Sequence, residues 1–357
     1  MQRALALTSV FIFLSAPAFA DNDHNLTILG TYVIPSGLQI DGVEFGGISG
    51  LDYQPETGKF IAISDDRSQK APARFYDIDI NLSKDGIAGI NIAAMHRLEN
   101  AQGQVWAEKT TDPEGIAFDH AYQSIFWSSE VGPALYKADL NGKLLQEFVL
   151  PDAYIPNSDG TKGIYNNQAF EGLTVSNDGK HIYVATENAL IQDGPKASLD
   201  AVSPSRILQL DAVTGETIAE YIYETDKIPV KAVNNGWNDN GLSEIRALAS
   251  GDFLVTERSY AEGIGFNIRL YRVSLKQATN IAGAKSIKGM DVQPVSKEEI
   301  LTIKDGDFGF SHTDNIEAIS FGPEIDGYQT LILATDNNFN IKEETQFYAF
   351  SLPIDFK

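Results

Sequence analysis

The sequence predicts an all-β protein of the β-propeller class, and three observations predict it. Five segments share one layout: a polar start, an alternating apolar run, a turn, and a second apolar run ending in Ser or Thr followed by an acid. Alternation around turn residues reads as strand, turn, strand. Their starts recur at intervals of 65, 57, 73 and 73 residues, and periods that hold a few short strands each suit propeller blades. The apolar runs are also short and bounded by Gly, which leaves no room for amphipathic helices.

The units follow in chain order. The first runs from GISGLDY (Gly47–Tyr53) through ETGK to FIAISDD, and the second from PEGIAFD (Pro113–Asp119) to IFWSSEVG. The third is AFEGLTVSNDGKHIYVATENAL (Ala169–Leu190), the fourth LSEIRALASGD (Leu242–Asp252) with FLVTERS, and the fifth NIEAISFGP (Asn315–Pro323) with LILATDNNF. Outer strands are expected at Ala73–Ile80, Ala134–Leu140, Arg206–Ala212, Ile268–Leu275 and Gln346–Leu352. The N-terminal LTILGTYVI (Leu26–Ile34) is expected to join the last blade and close the ring, which protects sheet edges. Five repeat units are visible, and the long intervals leave space for a sixth, eroded blade in Asp193–Asn240 or Ala261–Thr313. Two β-sandwiches are the alternative architecture with similar turn spacing.

Ahead of the repeats, Met1–Ala20 reads as a secretory signal: Arg3, the apolar ALALTSVFIFL, and the small-x-small site Ala18-Phe19-Ala20. The mature chain is expected to start at Asp21, to form a single propeller domain over 21–357, and to be periplasmic or secreted, with no membrane anchor. The 357 residues contain no Cys, which excludes disulfides, thiolate metal sites and a lipid-attachment Cys. A formal net charge of −22 repels nucleic acid and anionic lipid and favours cations. A monomer acting on a small molecule is the expected form.

The repeat also places polar residues in phase. The starting residues are Ser49, Glu114, Glu171, Glu244 and Glu317, and the closing acids are Asp65, Glu130, Glu187, Glu257 and Asp336. In an antiparallel hairpin these two positions share one end, so all ten are expected at one mouth of the central channel. Packed carboxylates must bind protons or a cation. Hard oxygen ligands suit Ca²⁺ better than the stricter octahedron of Mg²⁺, and Zn²⁺ would recruit His or Cys. Ca²⁺ is therefore the expected cofactor; the alternative is that each acid bonds backbone N–H groups of its own blade.

Arg67 and Arg258 follow closing acids and suit an anionic substrate, phosphate or carboxylate, or else neutralise the ring. Neutralisation is the expected role of Arg246, while Lys109 and Lys162 lie in segments leading into the ring. Glu171 or Glu187 is the expected general base, and His312 is the histidine to test for that role. GISGL around Ser49 lacks the second Gly of a nucleophile elbow.

At these motifs the chain resembles the "esterase-like activity of phytase" family. The resemblance rests on GGISGLDY…AISDDRS, PARFY, DPEGIAF, FEGLTVSNDGKHIYVATENAL, GLSEIRALASGDFLVTERS and NIEAISFGP…LILATDNNF, and spans Gly46 to Pro353. It implies an exported propeller that hydrolyses phosphoesters or esters, and it supplies no catalytic residues to carry over. Ser49 with Asp65-Asp66-Arg67 is similar, more weakly, to calcium-activated apyrases. The leading expectation is a Ca²⁺-dependent phosphoric ester hydrolase acting on a small phosphorylated molecule. The alternatives are a Ca²⁺-stabilised binding propeller without catalysis, and a carboxylester or lactone hydrolase.

Overall fold

In the computed structural model, residues 26–121, 123–165 and 168–356 are described; the expected signal peptide lies outside them. The chain opens with β1 (Thr27–Pro35) and a small hairpin of β2 (Gln39–Ile40) and β3 (Val43–Glu44). Blade 1 is β4 (Ile48–Gln54), β5 (Lys59–Ser64), β6 (Arg74–Ser83) and β7 (Gly86–Arg97). Blade 2 is β8 (Pro113–Asp119), β9 (Ser124–Ser129), β10 (Ala134–Asp139) and β11 (Leu144–Glu147). Blade 3 is β12 (Phe170–Val175), β13 (His181–Ala189), β14 (Ser203–Asp211) and β15 (Thr217–Thr225). Blade 4 is β16 (Asn238–Ala247), β17 (Phe253–Ala261), β18 (Gly265–Ser274) and β19 (Ser296–Lys304). Blade 5 is β20 (Asn315–Ile325), β21 (Tyr328–Asp336) and β22 (Glu344–Pro353), completed by β1, which pairs antiparallel with β22 through Thr31 opposite Tyr348.

The propeller therefore has five blades and is closed by its terminal strands. The space for a sixth is filled by the outer strands β14, β15, β18 and β19 and their loops. Among the described residues there is no α-helix, only single 3₁₀ turns.

Five apolar cores, one per blade interface, hold the ring together. Ile61, Ile63 and Phe75 of blade 1 meet Ile116, Ile125 and Trp127 of blade 2. Phe126 and Leu135 meet Leu173, Val184 and Leu208 of blade 3. Ile207 and Tyr223 then meet Ile245 and Val255 of blade 4, Leu254 and Leu270 meet Ile319 and Leu333 of blade 5, and Ile332 and Phe347 return to Leu51 and Phe60. A strand buried on both faces reads as a continuous apolar run, and β8 and β9 are buried at every position. The outermost strands alternate instead, as in β11.

The inner strands β4, β8, β12, β16 and β20 pack edge to edge around the axis. Their approach is too close for a side chain in blades 1–3: a Cβ on Gly50 would stand 2.7 Å from the Glu114 carbonyl oxygen, and one on Gly172 2.8 Å from Ile245 N. Lower in the channel, the Arg246 guanidinium crosses from blade 4 and donates to the carbonyls of Leu51 (2.5 Å) and Ile319 (2.8 Å). Asp52 lies 3.1 Å from it. The axis is thus stoppered, and the mouth above it is a basin.

Candidate functional site

A β-bulge in each inner strand builds this mouth. In blade 1 Ile48 faces Ser64 while Gly50 faces Ile63, so Ser49 is the extra residue. The same slip makes Glu171 the extra residue between Phe170 and Gly172, and Glu317 between Ile316 and Ala318. In blade 2 it lies between Pro113 and Ile116, beside Glu114. A bulge leaves one residue unpaired and re-aims its side chain. On the next strand Asp65, Glu130 and Glu187 lie one residue past the last pair with the inner strand, and Asp336 closes β21 opposite Asn315.

The basin encloses about 690 Å³ and is lined by Asp65, Glu114, Glu130, Glu171, Glu187, Glu317 and Asp336, with Asp239, Glu262 and Glu343 at its rim; Arg67 and Arg258 are the basic residues among its lining. Ser49 stands behind the wall, where its Oγ donates to Glu114 Oε2 (2.5 Å). Ala169 N donates to Glu130 Oε1 (2.5 Å), and Glu130 and Glu171 bring carboxylate oxygens within 4.8 Å of each other. Asn315 Nδ2 donates to Glu317 Oε1 (2.8 Å), and Asn338 N to Asp336 Oδ1 (2.7 Å).

Arg258 reaches Glu187 (3.4 Å) and Glu317 (3.2 Å), so it ties blade 3 to blade 5. Its Nε is buried and has no hydrogen-bond partner among the described residues. Arg67 pairs with Asp112 at 2.6 Å.

This crowding reshapes the proton affinities. Burial, then Glu317 and Asp112, push Asp65 up to about 8. Burial raises Asp112 to about 7 against the pull of Arg67. Glu114 and Glu171 are held well above the carboxylate range by burial, with Glu171 the chief neighbour of the first and Glu130 of the second. Burial also holds Glu187 well above it despite Arg258, and it holds Asp336 there with help from Asp65. Burial likewise raises Glu130 and Glu317. Burial disfavours the Arg258 charge, yet Glu187 and Glu317 outweigh it and raise its pKa.

Two groups of three buried carboxylates each bring ligand oxygens within 4.8 Å of one another: Asp112, Glu114 and Glu130, and Glu130, Glu171 and Glu187. The donor set is all oxygen, from rigid strand ends, and its neighbours' charge raises its proton affinity. It fits a hard divalent cation, which would take the place of those protons.

Several expected site residues are placed elsewhere. Glu244 does not line the basin. In blade 4 the extra residue is Ser243, between Leu242 and Glu244, so Glu244 falls one step down the strand. There it accepts from Leu173 N (3.0 Å) and Ile245 N (2.8 Å) and lies 3.5 Å from Arg246. Burial, opposed by Arg246, brings it to about 8. Glu257 likewise pairs across from Leu242 instead of passing it. It points between blades 3 and 4, bonded to Tyr223 (2.7 Å), Arg269 (2.9 Å) and Lys297 (2.7 Å). The residue at the closing position is Arg258. His312 is also outside the lining, on a half-exposed loop with Nε2 3.4 Å from Asp314 and Nδ1 3.0 Å from Ser311 Oγ. That removes the geometric basis for a general base there. Lys109 pairs with Glu108 and Lys162 with Asp152.

Asp112, Asp239, Trp237, Tyr260 and Asn315 were not singled out from the sequence. Asp112 lies two residues before Glu114, within reach of the repeat pattern. Asp239 and Trp237 sit on a part of blade 4 with no counterpart in the other repeats.

Among the described residues no helix is long and apolar enough to cross a membrane. An "Uncharacterized secreted protein" of Arthroderma benhamiae is 31% identical over 223 residues, 53% of this chain and 41% of that protein. The match thus spans about two-fifths of the relative's length. A family model covers residues 43–339, and with it the chain belongs to the phytase-like family described as esterase-like activity of phytase.

Proposed function

We propose that the protein is an exported, Ca²⁺-dependent hydrolase of phosphoric esters acting at the acidic basin. The observation that carries this is the convergence of seven carboxylates, from blades 1, 2, 3 and 5, on one concavity that also holds two guanidinium groups. Export is supported by the signal pattern of the first twenty residues and by the relative's description as secreted.

Glu130, Glu171 and Glu187 would hold the cation, with Asp112 and Glu114 forming an adjoining oxygen set. A bound divalent cation supplies countercharge and polarises a phosphoryl oxygen. The free Nε of Arg258 is a donor for a phosphate oxygen. Glu187 lies beside that donor and, once the cation has displaced its own proton, would take a proton from attacking water, with Glu171 the alternative base. Arg67, partly exposed at the opposite wall, steers the anion in.

A screen on phytate, nucleotides and aryl phosphates from pH 5 to 9 tests the reading. Turnover in Ca²⁺ that EDTA abolishes is expected; blank assays throughout refute it. One observation favours a second reading, a cation-pinned binding propeller: both arginines already have carboxylate partners. Under it, EDTA lowers the melting temperature while every hydrolase assay, aryl acetates and lactones included, stays blank.

A further inference from the structure

One wall of the basin is aromatic. Trp237 precedes β16, Tyr260 lies near the end of β17, and Phe266 faces Tyr260 across the β17–β18 pairing. The rings form a continuous row, Trp237 to Tyr260 at 5.3 Å and Tyr260 to Phe266 at 4.8 Å between centroids. All three line the basin. Trp237 is 58% exposed, although its backbone is fixed: its N donates to Glu262 Oε2 and its carbonyl accepts from Glu262 N, each at 2.9 Å.

A lone exposed aromatic needs no explanation. A row of three in contact, forming one side of a concavity whose acidic floor fits a cation and which holds the Arg258 Nε donor, suits a ligand with an apolar end and an anionic end. Its volume of about 690 Å³ falls in the ordinary range for small-molecule sites. Asp239 and Glu262 flank the row, so a further anionic substituent on the ligand's ring would meet like charge.

We propose that this row is the subsite for the organic part of the substrate, and that it selects esters of a ring-bearing, otherwise uncharged alcohol over polyphosphorylated ones. The proposal rests on the phosphoester reading of the basin. Trp237 acts as a stacking face for the ring while Arg258 and the cation that the acidic floor would hold take the ester.

The test compares phenylphosphonate with methylphosphonate, which present the same anion with and without a ring. Binding to the Ca²⁺-loaded protein is measured by calorimetry for wild type, W237A and W237F. Wild type is expected to bind phenylphosphonate roughly 3- to 10-fold more tightly, the range one aromatic contact supports. W237F should keep most of that preference. W237A should lose it with methylphosphonate binding and melting temperature unchanged. Equal binding of the two probes by wild type, or a preference that survives W237A, overturns the subsite.

A titration with neutral benzyl alcohol, followed by tryptophan fluorescence, separates this from failure of the underlying reading. Of the three tryptophans, Trp127 is buried and Trp106 half-buried, so the exposed Trp237 dominates the ligand response. If neither phosphonate binds, the phosphoester reading falls. Saturable quenching by benzyl alcohol that disappears in W237A then still supports the aromatic subsite, and its absence overturns that as well.

Discussion

Replacing Glu171 by Gln should stabilise the metal-free protein at alkaline pH and destabilise the Ca²⁺-loaded one. The oxygens of Glu130, Glu171 and Glu187 lie within 4.8 Å of one another. At an effective dielectric constant of about 20, two charges at that distance repel by roughly 3.5 kcal/mol. The site avoids this by retaining protons, which is why burial and Glu130 hold Glu171 well above its ordinary value.

A carboxyl whose folded pKa is raised contributes stability that is complete below its unfolded value, 4.5, and is lost as pH rises towards the folded one. The slope is about 1.4 kcal/mol per pH unit per proton retained. Gln mimics the protonated acid and has no such slope. In EDTA, Glu171→Gln should therefore lie about 1 kcal/mol below wild type near pH 4.5, for the imperfect fit of the amide, and gain on it as pH rises, by up to the roughly 3.5 kcal/mol of repulsion it removes. In millimolar Ca²⁺ the order should reverse, because wild type gains binding free energy that the variant forfeits. Urea titrations at pH 5, 6, 7 and 8, with EDTA and with Ca²⁺, measure both effects. A variant less stable than wild type at every pH, by an amount indifferent to Ca²⁺, would show that Glu171 is a strand-end hydrogen-bonding residue and sink the cation site.

Three further outcomes follow from the same geometry. Arg258→Met leaves Glu187 and Glu317 without their buried partner, and should cost about 3–5 kcal/mol at pH 8 in EDTA; urea titration should show much of the loss recovered at pH 5 or in Ca²⁺. Glu257→Gln breaks the buried pairs with Arg269 and Lys297 and should cost about 3 kcal/mol while leaving Ca²⁺ affinity by calorimetry unchanged; a shift in affinity would place Glu257 in the site. Gly115→Ala drives a methyl into Leu173 Cβ and towards the Glu171 carbonyl oxygen at 3.0 Å, so thermal unfolding should show a loss of about 1–3 kcal/mol.

The inner three strands of each blade were legible because burial on both faces leaves the apolar, Gly-bounded pattern intact. β8 reads PEGIAFD and is buried throughout. The fourth strands were not: β19, SKEEILTIK, and β11, LLQE, are half exposed and carry the polar residues of a solvated face. That is why the intervals read as long for four strands and leave space for a sixth blade. Ring closure was legible because β1 keeps its strand-like composition despite its terminal position.

The carboxylates of blades 1, 2, 3 and 5 were legible because their spacing carries straight into space. Blade 4 was misread by one residue. Ser243-Glu244 and Glu257-Arg258 each offer an acid beside the structurally equivalent position, and a bulge adds its residue without a mark in the sequence. The shorter start-to-close separation in that unit was its sole trace. The aromatic wall left none, since it belongs to blade 4 alone.

That misread unit carries the electrostatic logic of the mouth. Where the other blades close with an acid, blade 4 closes with Arg258, and this guanidinium reaches the acids on both neighbouring blades, Glu187 and Glu317. One side of the ring therefore has its countercharge built in. Towards blade 2 the two carboxylate triads share Glu130; Arg67 lies there, drawn to Asp112 and 4.0 Å from Glu130, and Glu114, Glu130 and Glu171 rely on protons. The field is polarised across the basin: demand for a cation is greatest at blades 2 and 3, while the free hydrogen-bond donor belongs to blade 4. An anion that bridges them would meet countercharge at one end and a guanidinium N–H at the other, with the aromatic row of blade 4 beside it. A symmetric ring of ten acids would hold a cation equally well but would offer no direction for an ester to lie in. Arg258 supplies the direction.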